Sequence, residues 1–520
     1  MRKRARVIIR ILLAVIVVAG IGIVIGLQQL EPRLRAWVTE TLSESLQSEV
    51  ELGAVKLDWV PLRLHAENLT VRHRGRTDVP PLLVVKTFSV DLRPTDLWRS
   101  STVEHVKVDG LEVNIPPKNP ATGKRPLPNL PDGDDSNADD DSEGLVVKRL
   151  TATNTRMSII PREANKDPKI WDIIELEMKN LRSKESATFT AALINPIPYG
   201  KIETTGTFGP WVSDEPGDTP IGGDYTFAAD LGTIEGLEGD LSAVGKMSGT
   251  IEQIATTGQT RTEKFRLTEL QGDSLLLTTA YEALVDGTKG DVELHRVDVH
   301  LGKSEFAVKG VVEGTKGVKG KRVVVNVKSS NANLGELLRF TSKTAEPPAF
   351  GRLLIDAAMD LPQGKEPVLS RLQLEGSVRA ERVTFTNDVV QDKIDLLSRK
   401  GQGRPADMSI DEVASHMSSK FELRNGQLTY ESLSFNVDGA NVRMAGTHSL
   451  RSKSLNLAGE VLLDATVSQT MTGYKSWLLK PFDPLFKKNG AGTRLAIRVQ
   501  GTQDQPKVGL EIGKTLRGSN

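Results

Sequence analysis

Histidines are the side chains of this sequence best suited to acid–base or metal chemistry, but their spacing favours neither. No pair shows the H-E-x-x-H spacing that places two imidazoles on one helix face, so we interpret all seven as structural or surface residues: His65, His73, His105, His295, His300, His416 and His448. The chain has no cysteine, which excludes thiolate metal sites and cysteine nucleophiles. No G-x-S-x-G sequence marks a hydrolase serine. The sequence therefore predicts no catalytic residue, no metal site and no cofactor, and we expect that the protein is not an enzyme.

Two further stretches have the composition of ligand-binding loops without the required spacing. The acidic residues of 132–143 suggest calcium, but an EF-hand loop counted from Asp132 needs glycine at its sixth position, where Asn137 stands. The glycine- and lysine-rich stretch 314–321 lacks the spacing of a phosphate-binding loop. We interpret both as solvated loops.

Composition limits the partners. Among 520 residues, 67 are basic and 67 acidic, so the formal net charge is zero. A general nucleic-acid binder carries a basic excess to neutralise phosphates, and we expect no nucleic-acid partner. Hydrophobic residues make up 38% of the chain, which is ordinary for a folded protein.

The segment 474–488 interleaves aromatic and aliphatic side chains with lysines. Rings at the headgroup level and ammonium groups on anionic lipid are typical of an interfacial segment. The candidate membrane-contact residues are Trp477, Leu478, Phe482, Phe486, Lys475, Lys480, Lys487 and Lys488. The alternative interpretation is a cap over the open end of a sheet, with the lysines facing water.

A membrane anchor is predicted at the N-terminus. Residues 11–27 contain no charged side chain, and twelve of the seventeen are Leu, Ile or Val; extended back to Val7, the run reaches the length of about 20 residues that spans a bilayer. Five arginines and lysines and no acid precede or flank it, which keeps this end in the cytoplasm by the positive-inside rule. We expect a retained single-pass anchor rather than a cleaved signal peptide, because the apolar run is long and its cleavage site poor.

The rest of the chain alternates with a period of two, which is typical of strands with one apolar and one solvated face. Pairs of apolar residues share a face wherever one position separates them. The candidate lining residues of a groove are Val106, Val108, Phe306 and Val308.

A recurring phrase, apolar-x-apolar-x-Gly, places a glycine on the apolar face of several strands. Its glycines are Gly206, Gly310, Gly376, Gly446, Gly459 and Gly501. Glycine inside a strand marks a bulge, a bend or the close approach of another group. The repetition predicts a long, strongly curved antiparallel sheet. Because predicted helices are few, the sheet either closes on itself or uses its apolar face to hold a long apolar ligand.

The predicted organisation has five parts. A basic tip and anchor (1–27) precede an amphipathic helix, running from Leu30 to Val50, and a first β unit (28–115). A proline-rich and acidic linker follows (116–143), which we interpret as disordered and dispensable for folding. A repetitive β groove (144–380) leads to a C-terminal region (381–520). The further predicted helices are short and lie at 95–99, 387–400, 410–417 and 466–479.

The C-terminal third resembles the C-terminal region of the AsmA-like envelope protein family. The residues that carry the resemblance are Gly401-Gln402-Gly403-Arg404-Pro405, Leu423-Arg424-Asn425-Gly426, Gly439-Ala440-Asn441-Val442, the stretch 475–486 and Gly501-Thr502-Gln503-Asp504-Gln505-Pro506-Lys507. The anchor, the amphipathic helix and the strands that end in 105–113 resemble the N-terminus of the same family. The middle, about 144–350, is similar only in its alternation.

The resemblance implies a protein of a Gram-negative envelope, anchored in the inner membrane, with the bulk of the chain in the periplasm. It also implies kinship with bridge-type lipid transfer proteins, in which a taco-like sheet with an apolar groove moves phospholipid towards the outer membrane. At 520 residues the chain is short for a complete bridge, so a partial bridge or an envelope protein partner is expected. The alternative is an anchored assembly factor for outer-membrane β-barrel proteins, with a filled core and a free edge strand.

Overall fold

The computed structural model describes residues 48–59, 62–72, 79–91, 102–117, 146–161, 163–182, 185–212, 215–270, 272–341, 343–472, 492–502 and 505–510, together with isolated positions at 32, 35–36, 39–40, 43, 480 and 483. The predicted anchor, most of the predicted linker and almost all of 474–488 lie outside this part of the chain. The isolated positions between 32 and 43 are helical, as the amphipathic pattern predicts. Val50, however, belongs to a strand, so the predicted helix boundary at that residue is wrong.

Twenty-four strands are described. They are β1 (Val50–Glu51), β2 (Val55–Trp59), β3 (Leu62–Val71), β4 (Leu83–Asp91), β5 (Thr102–Ile115), β6 (Val146–Ile159), β7 (Ile170–Leu181), β8 (Ala187–Pro196), β9 (Tyr199–Phe208), β10 (Pro220–Asp230), β11 (Leu237–Thr250), β12 (Ile254–Leu267), β13 (Leu275–Val285), β14 (Val292–Leu301), β15 (Ser304–Glu313), β16 (Arg322–Asn333), β17 (Ala349–Leu361), β18 (Gln373–Phe385), β19 (Ser415–Arg424), β20 (Gln427–Val437), β21 (Ala440–Ser449), β22 (Ser454–Leu463), β23 (Thr493–Thr502) and β24 (Gln505–Leu510).

All of these strands belong to one sheet, in which each strand from β3 onward pairs with the next along the chain. Alternating side chains and short turns produce this meander, because antiparallel neighbours need only a tight connection. The prediction of a mostly β, mostly antiparallel sheet with few helices is confirmed.

One pair of strands is parallel. β5 and β6 run in the same direction, with Thr102 opposite Val146 and Ile115 opposite Ile159. The chain between Ile115 and Val146 must therefore return along the whole strand, about 43 Å at about 3.3 Å per residue. Deleting 116–143 would leave two residues for this distance, so the expectation that the whole segment is dispensable is wrong. Its first residue, Pro116, is fully buried and belongs to the folded part.

Three helices are described between the strands: α1 (Leu334–Thr341), α2 (Val368–Arg371) and α3 (Asp388–Gly401). Short 3-10 turns occupy Pro216–Asp218, Leu231–Thr233 and Val467–Thr470. α3 matches the helix predicted at 387–400, and its N-cap residue is Asn387, whose side chain accepts a hydrogen bond from the Val390 amide. The helix predicted at 410–417 is wrong, because Ser415 begins β19. The predicted helix at 95–99 lies outside the described residues.

The sheet has two margins, at opposite ends of its strands. The even margin consists of the loops that follow even-numbered strands from β6 onward, and the odd margin of the loops that follow odd-numbered strands from β7 onward. The β6–β7 loop on the even margin contacts the β13–β14 and β15–β16 loops on the odd margin: the Lys316 amide donates to the Asn165 carbonyl at 2.6 Å. In a flat sheet β7 and β14 would lie about 34 Å apart, at about 4.8 Å per strand. The sheet therefore bends far enough for its margins to touch.

Candidate functional site

Strand register places all four predicted lining residues on one face of the sheet. Val106 and Val108 lie opposite Val90 and Phe88 of β4. Directly opposite residues share a face. Traced from β5 through the paired strands to β14, this face includes Val297 and Val299. These two residues lie opposite Val308 and Phe306 of β15, so the two pairs share one face. We call this surface the apolar face and its reverse the polar face.

The apolar face carries no Asp, Glu, Lys or Arg among the paired positions described from β7 to β24. Its residues are aliphatic, aromatic, glycine, proline, serine or threonine, with one asparagine, Asn195, and one histidine, His448. The polar face carries ion pairs between strands, such as Lys328 with Asp356 at 2.9 Å and Arg156 with Asp172 at 2.9 Å. On the eighteen consecutive strands β7 to β24, the charged side chains at paired positions thus lie on the polar face.

The glycines of the recurring phrase lie on the apolar face where neighbouring backbone leaves no space. A Cβ at Gly459 would come closer than 3.0 Å to the Arg443 carbonyl of β21, and one at Gly310 would meet the Val324 carbonyl of β16. Gly206 and Gly223 lie directly opposite each other across β9 and β10. Close approach of neighbouring backbone, one of the three roles expected of a glycine inside a strand, is thus observed at these positions.

Helices α1 and α3 cover the apolar face along the even margin. α1 packs Leu334, Leu337 and Leu338 onto a buried cluster around Val383 and Leu353, and Phe306 packs against the same cluster. α3 packs Ile394 and Leu397 onto a second cluster, made of Val437, Ala440 and Leu463. Of the four predicted lining residues, all of them half-buried, Phe306 therefore contributes to a packed core as well.

A group of contacts that we call the clasp joins the two margins, residues 163–169 on one side and 286–291 with 314–321 on the other. Lys166 Nζ donates to Asp291 at 2.8 Å, and both side chains are largely buried. Trp171 at the start of β7 donates through Nε1 to the Gly287 carbonyl at 2.9 Å. Burial opposes the charge of Asp291, but hydrogen bonds from Lys166 and the Gly314 amide outweigh it, so the pKa of this carboxyl lies below its ordinary value.

An apolar cluster extends the contact between the margins. Ile115 and Ile159, at the ends of β5 and β6, pack with Ile251 of the β11–β12 loop and with Phe208 and Trp211. Stretch 314–321 does form a turn between strands, as predicted, and in addition the Gly317 amide donates to Asp167 at 3.0 Å. Sequence alone gave no sign of this long-range role.

Two tyrosines meet on the apolar face in the middle of the sheet. Tyr225 of β10 and Tyr281 of β13 lie over Gly245 and Gly258, and their hydroxyls hydrogen-bond to each other. The Tyr225 hydroxyl also contacts the Thr256 hydroxyl at 2.7 Å. Burial and the bond with Tyr225 raise the pKa of Tyr281. These polar groups are satisfied by one another.

Two polar residues on the apolar face were missed by the sequence reasoning. His448 of β21 is nine-tenths buried, between Leu428 and Leu455 of the adjacent strands. Tyr430 of β20 lies opposite Gly446. A signal was present, because continuing the alternation Val442-x-Met444-x-Gly446 by two residues places His448 on the same face.

Open depressions of about 1170 and 930 Å³ lie on the polar face instead. Exposed charged residues line the first, among them Glu175, Lys201, Asp224 and Arg296. An apolar ligand would gain little there, because charged groups would have to be desolvated. We therefore keep the apolar face as the candidate site.

The predicted membrane-contact segment is described at only two positions. Lys480 is exposed. The Asp483 carboxylate accepts hydrogen bonds from the Ser468 amide at 2.8 Å and from the Ser468 hydroxyl at 2.7 Å, which ties the segment to the turn at Val467–Thr470. Trp477, Leu478, Phe482, Phe486, Lys475, Lys487 and Lys488 lie outside the described residues. Lys480 and Asp483 lie in the chain between β22 and β23, two of the last three strands of the sheet.

Neither a cluster of potential metal ligands nor a helix with the length and apolarity to cross a bilayer is found within the described residues. Comparison with known proteins adds no relative: the chain matches no family model, no curated protein and no solved structure.

Proposed function

We propose that the protein binds lipid acyl chains along the apolar face and is anchored by residues 1–27 in an inner membrane, with the remaining chain in the periplasm. The single observation that carries this proposal is the uncharged apolar face that continues through eighteen strands. A face of this length is costly to leave in water, since each CH₂ transferred out of water contributes about 0.8 kcal/mol. Acyl chains are long, flexible and free of polar groups, which fits such a surface.

In this proposal the sheet forms a taco-like groove with the apolar face inside. The contacts between the margins and the positions of α1 and α3 on the apolar face support it. Measured across the strands, the sheet from β2 to β24 is about 105 Å long at about 4.8 Å per strand. The groove therefore offers a path much longer than one lipid. Phospholipid is the proposed cargo, moved or held towards the outer membrane.

The segment 474–488 is the proposed contact with a second membrane. In the sequence it lies between β22 and β23, whereas the anchor precedes β1. Trp477, Leu478, Phe482 and Phe486 would insert shallowly, and Lys475, Lys480, Lys487 and Lys488 would contact anionic headgroups at about 1 kcal/mol each. An envelope protein partner would extend the path beyond the sheet.

The experiment that tests lipid binding compares two substitutions on β15. Val308→Asp places a charge on the apolar face, whereas Val311→Asp places the same charge on the polar face, where Val311 is already 37% exposed. Lipid that co-purifies with the full chain is extracted and measured by mass spectrometry. We expect at least a fivefold loss for Val308→Asp and no change for Val311→Asp. Equal lipid content in both variants, or none in the unsubstituted chain, would contradict the proposal.

The alternative function, an assembly factor acting by β-strand addition, has one observation in its favour. β24 pairs only with β23 among the described strands, and its Val508 and Leu510 are 69% and 61% exposed. A free, apolar edge strand is a template for another chain. Capture of an unfolded outer-membrane strand peptide by a chain that carries no lipid would favour this alternative.

A further inference from the structure

His448 is the only histidine on the apolar face among the positions paired from β7 to β24, and its burial is unusual. Its Nε2 is inaccessible and has no hydrogen-bond partner within the described part of the chain. The directly opposite residues, Leu428 and Leu455, offer no polar atom from their side chains. A buried polar atom left without a partner costs free energy, so its retention calls for an explanation such as a bound group.

Tyr430 is a diagonal neighbour of His448 on the next strand. It lies opposite Gly446, two residues before His448 in β21, so the two side chains share one face at adjacent levels. Burial alone raises the pKa of the Tyr430 phenol, and no described residue hydrogen-bonds to its hydroxyl. On adjacent strands of this face, His448 and Tyr430 thus present two polar groups without a described partner, which we call the donor pair.

Several other hydroxyls of this face are paired. Tyr225 and Tyr281, also placed over glycines, hydrogen-bond to each other, and Thr256 joins them. Thr260 and Thr279 pair at 2.8 Å. These five hydroxyls at β10 to β13 are thus paired, whereas the donor pair at β20 and β21 is open.

The donor pair lies on a row that leads to the exposed end of the sheet. From Tyr430, successive partners are Gly446, Leu457, Val499 and Val508. Val508 is 69% exposed, whereas Leu457 is buried. An alkyl chain lying along this row would contact aliphatic side chains from the edge strand inward and would end at Tyr430 and His448.

We propose that His448 and Tyr430 bind the oxygen acceptor of a fatty acyl ligand, its carboxylate or ester carbonyl, while the alkyl chain lies along the row towards Val508. With the proton on Nε2, the imidazole donates to this oxygen together with the phenol O–H, and the side chains that bury Nε2 move aside for the ligand. This inference rests on the proposed function and names the polar group that the apolar face recognises. A site that hydrogen-bonds a ligand oxygen discriminates strongly against an analogue that lacks it.

The test measures equilibrium binding of three probes to the full chain in amphipol. Hexadecanoic acid and its methyl ester carry the acceptor, and hexadecane does not. We expect the unsubstituted chain to prefer an acceptor-bearing probe over hexadecane by at least tenfold, and the comparison of acid with ester identifies which acceptor is bound. Tyr430→Phe removes one oxygen atom and should reduce the preference about fivefold, the effect of one hydrogen bond. His448→Phe should do the same, with hexadecane affinity unchanged.

Tyr225→Phe is the matched control, since its hydroxyl is already paired on the same face, and it should leave the preference unaltered. His448→Phe also gives a stability readout: removing an unpaired buried nitrogen should leave the melting temperature unchanged or raised. If Tyr430→Phe and His448→Phe keep the full preference for an acceptor-bearing probe and still bind hexadecane, this site is overturned. The proposed groove is not affected by that result. Failure of the unsubstituted chain to bind any of the three probes would overturn the site together with the proposed function.

Discussion

At the scale of single residues, the glycines of the apolar face show why side-chain size is restricted inside the sheet. At Gly459 the position of a Cβ is occupied by the Arg443 carbonyl, so alanine would have to push two paired strands apart. Overpacking of this kind typically costs about 1–3 kcal/mol. Gly459→Ala should lower the free energy of unfolding by that amount, measured by denaturant titration.

Gly509→Ala is the matched control, because a Cβ there meets nothing within 4 Å on the edge strand β24. It should be neutral or slightly stabilising, since alanine restricts the unfolded chain. Equal destabilisation by both substitutions would mean that strand propensity, and not the close approach of backbone, explains the glycines.

Alternation predicted the common face of Val106, Val108, Phe306 and Val308, because a period of two depends only on strand geometry. It could not predict that Phe306 also packs beneath a helix, since α1 comes from a later part of the chain. Nor could it predict the state of His448, whose lack of a partner depends on three strands at once.

At the scale of elements, helix prediction succeeded for the long, capped helix α3 and failed for shorter segments, the capped helix α1 included. α3 has an Asn387 cap, acid in its first turn and Arg399 and Lys400 in its last. The residues after Ile410 have apolar spacing that also fits a strand, and the amides of Glu412 and Val413 donate to Asp395 of α3, which fixes them outside a helix. α1 was missed because eight residues give too little periodic signal.

The parallel pairing of β5 and β6 predicts a minimum length for the connection between them. A chain extends at most about 3.6 Å per residue, so about a dozen residues are needed to return along β5. Replacing 118–145 with sixteen Gly and Ser residues should leave the free energy of unfolding, measured by thermal melting, within about 1 kcal/mol of the value for the natural chain. Replacing it with four residues should break the β5–β6 pairing and lower the transition markedly. Unchanged melting of the four-residue version would show that this pairing is not needed for the fold.

The clasp predicts a pH-dependent contribution from Asp291. Its pKa is lowered in the folded chain, so the contribution is fully present above the ordinary carboxylate pKa of about 3.9 and is lost as pH falls through the folded value. Asp291→Asn should therefore destabilise the protein by about 1–3 kcal/mol near pH 7, and progressively less as the pH falls below the ordinary carboxylate pKa of about 3.9. Thermal melting across this range measures the difference.

The control for Asp291 is Asp298→Asn, which removes an exposed partner of Arg296 on the polar face and should cost less than about 1 kcal/mol at any pH. A destabilisation by Asp291→Asn that stays constant from pH 7 to pH 3 would assign its effect to packing and not to the carboxylate charge.

At the scale of the whole molecule, the sheet joins parts of the chain that are distant in sequence through its margins. The β6–β7 and β15–β16 loops are separated by about 150 residues, yet they share the hydrogen bond from Lys316 to Asn165 and that from Gly317 to Asp167. No sequence pattern reports such contacts, because they depend on the accumulated bend of the strands between them. The margins therefore had to be located from the structure.

The clasp allows a test of how lipid would enter. The chain has no natural cysteine, so Asn165→Cys with Lys316→Cys provides one defined disulfide across the margins, at exposed positions whose backbones already hydrogen-bond. Closing a loop of about 150 residues should stabilise the oxidised protein by up to about 5 kcal/mol. If lipid moves along the sheet from one end to the other, lipid exchange with labelled vesicles should proceed at the same rate in the oxidised and reduced protein. Exchange that stops on oxidation and returns on reduction would instead show that the margins must separate for lipid to enter from the side.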